Sequence, residues 1–426
     1  MTESKMDSQR QNTSILYGSP DQKTFILDIP ASIELAQSLS GAHAPSTERK
    51  LYSTTVKDPY PSPPEPKTDT ARARVLARIP DSERVFLETI DSFVGSEYEK
   101  IRKECGLSGN WCYHRHIPPE EEIAEGASRK KRKLESDVQD PAPVSNMDPP
   151  IMLSTSSVNE FSSLSDLQGV EVRNPALQTA NIRVKKFSVD DVHTDEYTIP
   201  PKASFVLGTL STPSNQQINK ISIIPNLAET TKFNLILLDP PWPNRSVRRS
   251  SQYHTHTYLE MASLVAIMQG IFLAHLDREN DKKAIVGIWT TNSAKSHQAA
   301  YSALDSANLQ VTEEWIWLKV TENGEPVVPL DGLWRKPYEV LLIGTPKTET
   351  ELKGSKPLKR LLVAVPDMHS RKPNLKELFE MLYFPTDDGT QTYTALEAFA
   401  RNLTSGWYSC GNDVLRFNAD QWWSEP

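Results

Sequence analysis

A carboxylate followed by two prolines and an indole is a compact acceptor site, and Asp239-Pro240-Pro241-Trp242 follows directly on the apolar run Leu235-Ile236-Leu237-Leu238. Two prolines stiffen the turn and bring no backbone N–H, so the segment offers mainly acceptors. An aromatic amine asks for acceptors. The N6 of adenine presents two N–H bonds, which the Asp239 carboxylate and the Pro240 carbonyl could each receive. Such acceptors favour the more pyramidal, more nucleophilic nitrogen that forms as a methyl group is transferred. Trp242 supplies a flat apolar wall beside it. Alone, the same letters also describe an Asp that caps a turn and prolines that end a strand.

The elements around the tetrad sharpen that choice. Short apolar runs at 233–238, 284–289, 314–318, 340–343, 361–365 and 395–399 alternate with helical stretches at 258–276, 296–307 and 375–382. Buried strands separated by helices predict an α/β sheet covered on both faces, whose sites lie beyond the carboxyl ends of the strands. The residues just after each apolar run are therefore the ones to inspect. After the tetrad come Arg245, Arg248, Arg249, Tyr253, His254 and His256, cations for phosphates and a ring for a neighbouring base, or simply solubilising charge. Trp289-Thr290-Thr291-Asn292 ends the next strand with hydroxyls and an amide. Trp315 and Trp317 share one strand face and Ile316 takes the other. Lys336, Tyr338 and Glu339 are further rim candidates.

The stretches Asp239-Pro240-Pro241-Trp242-Pro243-Asn244-Arg245-Ser246, Glu314-Trp315-Ile316-Trp317-Leu318-Lys319, Lys336-Pro337-Tyr338-Glu339 and Phe399-Ala400-Arg401-Asn402-Leu403 through Gly411-Asn412 occur in order across about half of the chain. Together they resemble the adenine-N6 methyltransferase family known for methylating messenger RNA, and within it the branch called methyltransferase-like protein 4. The resemblance implies a Rossmann-like, S-adenosylmethionine-dependent methyltransferase core with permuted motif order, the tetrad being encoded before much of the cofactor site. It implies Asp239, Pro240, Pro241 and Trp242 as catalytic residues, with S-adenosyl-L-methionine as cofactor and no metal. By the same resemblance Lys372 contacts the methionine carboxylate of the cofactor. Glu397, Arg401, Asn402 and Asn412 line its ribose and adenosine part. Asn244, Arg245, Arg248, Arg249, Tyr253, Lys336, Tyr338 and Glu339 face the substrate. Two departures stand out. Arg371 occupies a position where relatives often have histidine, and Gly208-Thr209 stands where an acid near the cofactor adenine is expected.

The rest of the chain bounds these expectations. The net charge is −8, so any nucleic-acid contact must come from a local basic rim rather than a generally cationic surface. Three cysteines, Cys105, Cys112 and Cys410, give no disulfide framework, and no apolar run is long enough to cross a membrane. The string Trp111-Cys112-Tyr113-His114-Arg115-His116 matches no zinc-finger spacing and reads as a packed aromatic corner. The run Arg129-Lys130-Lys131-Arg132-Lys133 suits nuclear import or loose phosphate contact, and a solvated charge block gives the same letters. We read it as nuclear, with the cytoplasm as a second location.

The organisation expected is a short structured segment over 1–40, a Pro/Ser-rich linker over 41–70 and a small helical segment over 71–117. A disordered charged linker follows over 118–165, then a small strand-rich region over 166–198 and the methyltransferase domain over 199–426. The expected partner is RNA or DNA containing adenine, including 2′-O-methyladenosine in small nuclear RNA, bound by a monomer. A catalytically inactive nucleic-acid-binding subunit is the competing reading. A nicotinamide-dependent enzyme would want a glycine-rich turn that this sequence lacks.

Overall fold

Successive side chains of a strand point to opposite faces, so a strand buried on both faces must be apolar throughout. Leu235-Ile236-Leu237-Leu238 meets that condition, and all four residues are buried. In the computed structural model of the chain, residues 13–40, 49–61, 64–66, 68–77, 79, 81–104, 110–118, 148–187, 192–211, 223–243, 260–279, 283–347, 356–368, 371–387 and 389–424 are described.

The strands in chain order are β1 (Ile15–Gly18), β2 (Thr24–Leu27), β3 (Ile151–Met152), β4 (Asn159–Phe161), β5 (Glu171–Arg173), β6 (Ala180–Phe187), β7 (Val192–Ile199), β8 (Ser204–Leu207), β9 (Leu235–Leu238), β10 (Ile285–Thr290), β11 (Leu309–Lys319), β12 (Tyr338–Pro346), β13 (Leu358–Ala364), β14 (Ala395–Ala398) and β15 (Tyr408–Gly411). The helices are α1 (Ile29–Ala36), α2 (Asp69–Leu76), α3 (Asp81–Glu104), α4 (Met261–His275), α5 (Ala294–Ser306) and α6 (Lys376–Tyr383). Twelve strands form one sheet in the order β1-β2-β13-β11-β12-β10-β9-β14-β15-β8-β5-β3, and β4-β6-β7 form a second.

The central run β10-β9-β14-β15-β8 is parallel throughout, and β12 is antiparallel to β10 and β11. After β8 the chain skips two places to lay down β9, and β14 and β15 fill the gap only near the carboxyl terminus. This is the permuted order that the motifs imply. It makes the carboxyl end of β9 the point where strand order reverses, which is where open α/β sheets bind ligands.

Alternation divides the core. Ile236, Leu238, Val286, Ile288, Ile316 and Leu318 face α3, α4 and α5. Leu235, Leu237, Ile285, Trp315 and Trp317 face the other way, toward α1 and α6. The two tryptophans of β11 thus pack on one face and Ile316 on the other, as their spacing predicts.

Three segments differ from expectation. Within the stretch 41–70, Leu51, Tyr52 and Ser53 are buried, bridging Trp423 and His116, because an extended chain satisfies its backbone on neighbours despite the prolines nearby. Within the stretch 118–165, expected as a disordered linker, residues 148–165 carry β3, which pairs β5, and β4, which pairs β6. The segments 1–40 and 166–198, bounded separately from the methyltransferase domain by sequence, join its sheet, β2 beside β13 and β5 beside β8. Pairings between residues so distant in sequence leave no local signal. Cys105 and the basic run 129–133 lie outside the described residues.

The aromatic corner is anchored by a buried carboxylate. Asp28 caps α1 by accepting from Ala31 N–H, and it also accepts from Tyr113 N–H and Arg115 Nη1, each at 2.9 Å. Both members of the Asp28–Arg115 pair are shut off from water. Removing one partner leaves an uncompensated buried charge, which costs about 3–5 kcal/mol. An Arg115→Met protein is expected to melt lower by on the order of 10 °C, read by calorimetry. An unchanged melting temperature would show that water or another cation compensates Asp28.

Candidate active site

Register places the key residues level with one another. Leu238 pairs with Ile288 on one side and Ala398 on the other, so Asp239, Trp289 and Phe399 come next at one height. Trp317 of β11 is opposite Glu339 of β12, which brings that carboxylate to the same end of the sheet. Lys372 then reaches in from the loop before α6, its ammonium 3.3 Å from Asp239 Oδ1 and 3.0 Å from Glu339 Oε2. Lys319, at the end of β11, pairs with Glu339 from the other side. Two cations thus balance two carboxylates.

That balance sets the ionisation states. Burial disfavours a charged Glu339, yet Lys372 and Lys319 together hold its carboxyl down at about 2. Burial likewise opposes the charge on Lys372, but Asp239 and Glu339 outweigh it and its pKa lies above the ordinary lysine value. Glu397, on β14 opposite Leu237, has no such cation among the described residues. Burial, with the like charge of Asp239 added, pushes it up to about 8.

The tetrad is itself tied down. Pro240 carbonyl accepts from Trp242 N–H at 2.8 Å, and the Trp242 indole donates to Trp289 carbonyl at 2.7 Å. Trp242 is therefore a buried brace between the ends of β9 and β10 that backs the site. The Pro240 carbonyl keeps one lone pair for another donor. Pro241 is exposed.

A cleft of about 520 Å³, counting space open to solvent, begins at Asp239 and runs past Lys372, Asn374, Glu397, Phe399, Arg401 and Asn402. Among the described residues, Glu397 Oε2 and Asn402 Nδ2 are buried without hydrogen-bond partners, polar atoms that want a ligand's hydroxyls or charges. Phe399 adopts φ of 60°, a strained left-handed backbone for a bulky residue. Gly411 shows what presses on it, since a Cβ there would lie 3.2 Å from Phe399 Cα and 3.3 Å from the Ala400 nitrogen and oxygen.

Among the residues that the sequence singles out, Asp239, Lys372, Glu397, Arg401 and Asn402 are brought together around this cleft. Asn412 is exposed and accepts from the Thr209 hydroxyl at 3.0 Å, so the residue standing in place of the expected acid touches another expected cofactor residue. Arg371, in place of histidine, is buried between the rings of Phe417 and Trp422 and paired with Asp367 at 2.7 Å. Glu339 is at the site, but Lys336 and Tyr338 both grip Asp91 of α3, and Tyr338 is wholly interior. A long-range partner decided their place, and the rim candidate Tyr338 becomes core. Thr290 and Asn292 likewise bond to the carbonyls of Val340 and Tyr338. Asn244, Arg245, Arg248, Arg249, Tyr253, His254 and His256 lie outside the described residues. Sequence reasoning missed Lys319, whose signal was its position at the end of an apolar strand, and Phe399, whose strain has none.

Glu397 yields a stability test. A carboxyl with a native pKa above its unfolded value of about 4.5 binds an extra proton when folded, so stability falls as pH rises from about 4.5 to 8, by at most ~1.4 kcal/mol per unit. Glu397→Gln removes that slope. Compared with wild type, the variant should gain in melting temperature as pH rises from about 5 to about 8. A wild-type-to-variant difference that stays constant over this range would mean that Glu397 titrates normally.

Residues 233–413 match the MT-A70 family. Over 229 residues the chain is 38% identical to the N6-methyladenosine RNA methyltransferase MTA1 of Cryphonectria parasitica, covering 53% of this chain and 62% of that protein. MTA1 of Pyricularia oryzae is 29% identical over 437 residues, 96% of each chain. The human N(6)-adenine-specific methyltransferase METTL4 is 36% identical over 232 residues, which are 52% of this chain and 44% of that protein. A Caenorhabditis elegans protein named DNA N6-methyl methyltransferase is 27% identical over 227 residues, 53% of this chain and 55% of that protein. MT-A70 proteins are S-adenosylmethionine-dependent methyltransferases, and over residues 233–413 the chain is similar to this family of adenine-N6 methyltransferases, METTL4 among them.

Proposed function

We propose that this protein transfers a methyl group from S-adenosylmethionine to the N6 amine of adenine in a single nucleic-acid strand. The observation that carries this reading is the Asp239 carboxylate at the head of the cleft, oriented by Lys372 at 3.3 Å. The cofactor's sulfonium supplies the methyl group. The orphaned polar atoms of Glu397 and Asn402 suit its ribose hydroxyls, and Lys372 and Arg401 suit its carboxylate. Asp239, with lone pairs to spare beyond the lysine, accepts an N–H of the amine and stabilises the charge that develops on nitrogen. Trp242 and Trp289 back the site and keep water out.

We propose RNA as the first substrate to try, including 2′-O-methyladenosine in a small nuclear RNA context, with DNA adenine as the comparison. The two MTA1 relatives are named for RNA. A monomer acting in the nucleus completes the reading, the location resting on the basic run 129–133.

The experiment is methyl transfer to matched RNA and DNA oligonucleotides, one with 2′-O-methyladenosine, measured by nucleoside mass spectrometry beside Asp239→Ala. N6-methylated product that disappears in the variant supports the reading and selects the strand. No product from any strand, with no cofactor binding by calorimetry, leaves a nucleic-acid-binding subunit as the better account.

A further inference from the structure

An indole in water forgoes the burial that stabilises this side chain elsewhere. All nine tryptophans of the chain lie within the described residues. Seven are buried, Trp422 is half-buried, and Trp334 alone is exposed, at 49%.

Trp334 sits in the loop that enters β12, next to the site. Three residues on, the Pro337 carbonyl accepts from Lys319 N–H at 2.7 Å. Lys319 pairs with Glu339, Glu339 with Lys372, and Lys372 with Asp239. Three residues of fully extended chain span roughly 11 Å at most, so the backbone of Trp334 lies within that distance of the strand end that carries Lys319 and Glu339.

The loop is also held still. Leu333 N–H donates to Glu65 Oε1 at 3.0 Å, the Trp334 indole leans on the Pro64 carbonyl at 3.4 Å, and Arg72 of α2 donates to the Asp331 carbonyl at 2.9 Å. Lys336 is fixed to Asp91 and to the Leu330 carbonyl. Of the acids nearby, Asp91 is paired with Lys336 and Glu65 accepts from Leu333 N–H, and the exposed Arg335 follows Trp334 in the chain. A fixed, exposed aromatic face with an arginine next to it in the chain is suited to stack a base and meet its phosphate.

We propose that Trp334 is the stacking platform for a nucleobase flanking the target adenine in the substrate strand. The proposal rests on the nucleic-acid reading above and goes beyond it, because it assigns the flanking base to a segment outside the tetrad loop. Stacking is tolerant of base identity, so Trp334 contributes affinity and strand register rather than a sequence code.

Binding of a fluorescein-labelled single strand, followed by anisotropy, tests this without turnover. Trp334→Ala should weaken binding by about 10-fold, and Trp334→Phe should restore most of it. An abasic residue at one position next to the target adenine should weaken wild-type binding to a similar degree and cost Trp334→Ala nothing more. S-adenosylmethionine affinity serves as the control and should be the same in all three proteins. Equal sensitivity of wild type and Trp334→Ala to every abasic position overturns the platform. Should Trp334→Ala fail to fold, wild-type binding that ignores every flanking abasic site overturns it equally. Loss of methyl transfer by wild type with these abasic effects intact would sink the activity and leave the platform standing.

Discussion

An Asp239→Asn protein should lose methyl transfer by about 10²–10³-fold in kcat while still binding S-adenosylmethionine, the size of effect seen when one preorganised transition-state partner is removed. The geometry makes this near-isosteric change severe. Lys372 lies 3.3 Å from Oδ1 and is a donor only, so an asparagine at this place turns its oxygen toward the lysine. Its NH₂ then faces the substrate amine, donor against donor. Single-turnover rates with saturating cofactor read the chemical step, and calorimetry reads the binding. Near-normal turnover by Asp239→Asn would move the acceptor role to the Pro240 carbonyl.

Lys372→Met is expected to be worse for binding than for folding. The lysine stands between Asp239 and Glu339, and without it two carboxylates share a poorly solvated site with Glu397 behind them. Breaking such a pair costs about 3–5 kcal/mol when fully buried, and these side chains keep about a fifth of their surface, so a cofactor affinity loss of about 10²-fold is the measured expectation. The sign of the pH effect follows. Glu339 is held near 2 by Lys372 and Lys319; with one cation gone, its pKa rises. Residual activity should therefore recover as pH is raised, with the acid limb of the rate profile displaced to higher pH than in wild type. Lys372→Arg keeps the charge and should show the wild-type limb with reduced affinity. A Lys372→Met profile superimposable on wild type would mean that Lys319 alone sets the ionisation of the site.

How much of this was legible before the fold was known depends on where the determining partner lies. β9 and β10 announce themselves because both faces are buried, and Asp239 follows from its position after the first of them. β15, Tyr408-Ser409-Cys410-Gly411, is just as buried but carries a hydroxyl, a thiol and a glycine, so no apolar run marks it. Glu397 could be placed on a strand, but its raised pKa comes from burial with the like charge of Asp239 added, which no sequence shows. Lys336 and Tyr338 were placed at the rim by their neighbours in sequence and belong instead to Asp91, in a helix some 245 residues earlier. Local pattern located the chemistry. Long-range pairing decided which neighbouring side chains could take part.

The strands contributed by the amino-terminal half lie along both margins of the catalytic sheet, β2 and β1 outside β13 at one side, β5 and β3 outside β8 at the other. A chain trimmed to residues 199–426 would bare two open edges at once, each a row of unpaired N–H and C=O groups over buried-type side chains such as Leu361, Val363, Phe205 and Val206. Such edges recruit other strands. The trimmed protein is expected to aggregate on expression, visible as material in the void volume in size-exclusion chromatography, so the amino-terminal half acts as a built-in guard against self-association of the sheet.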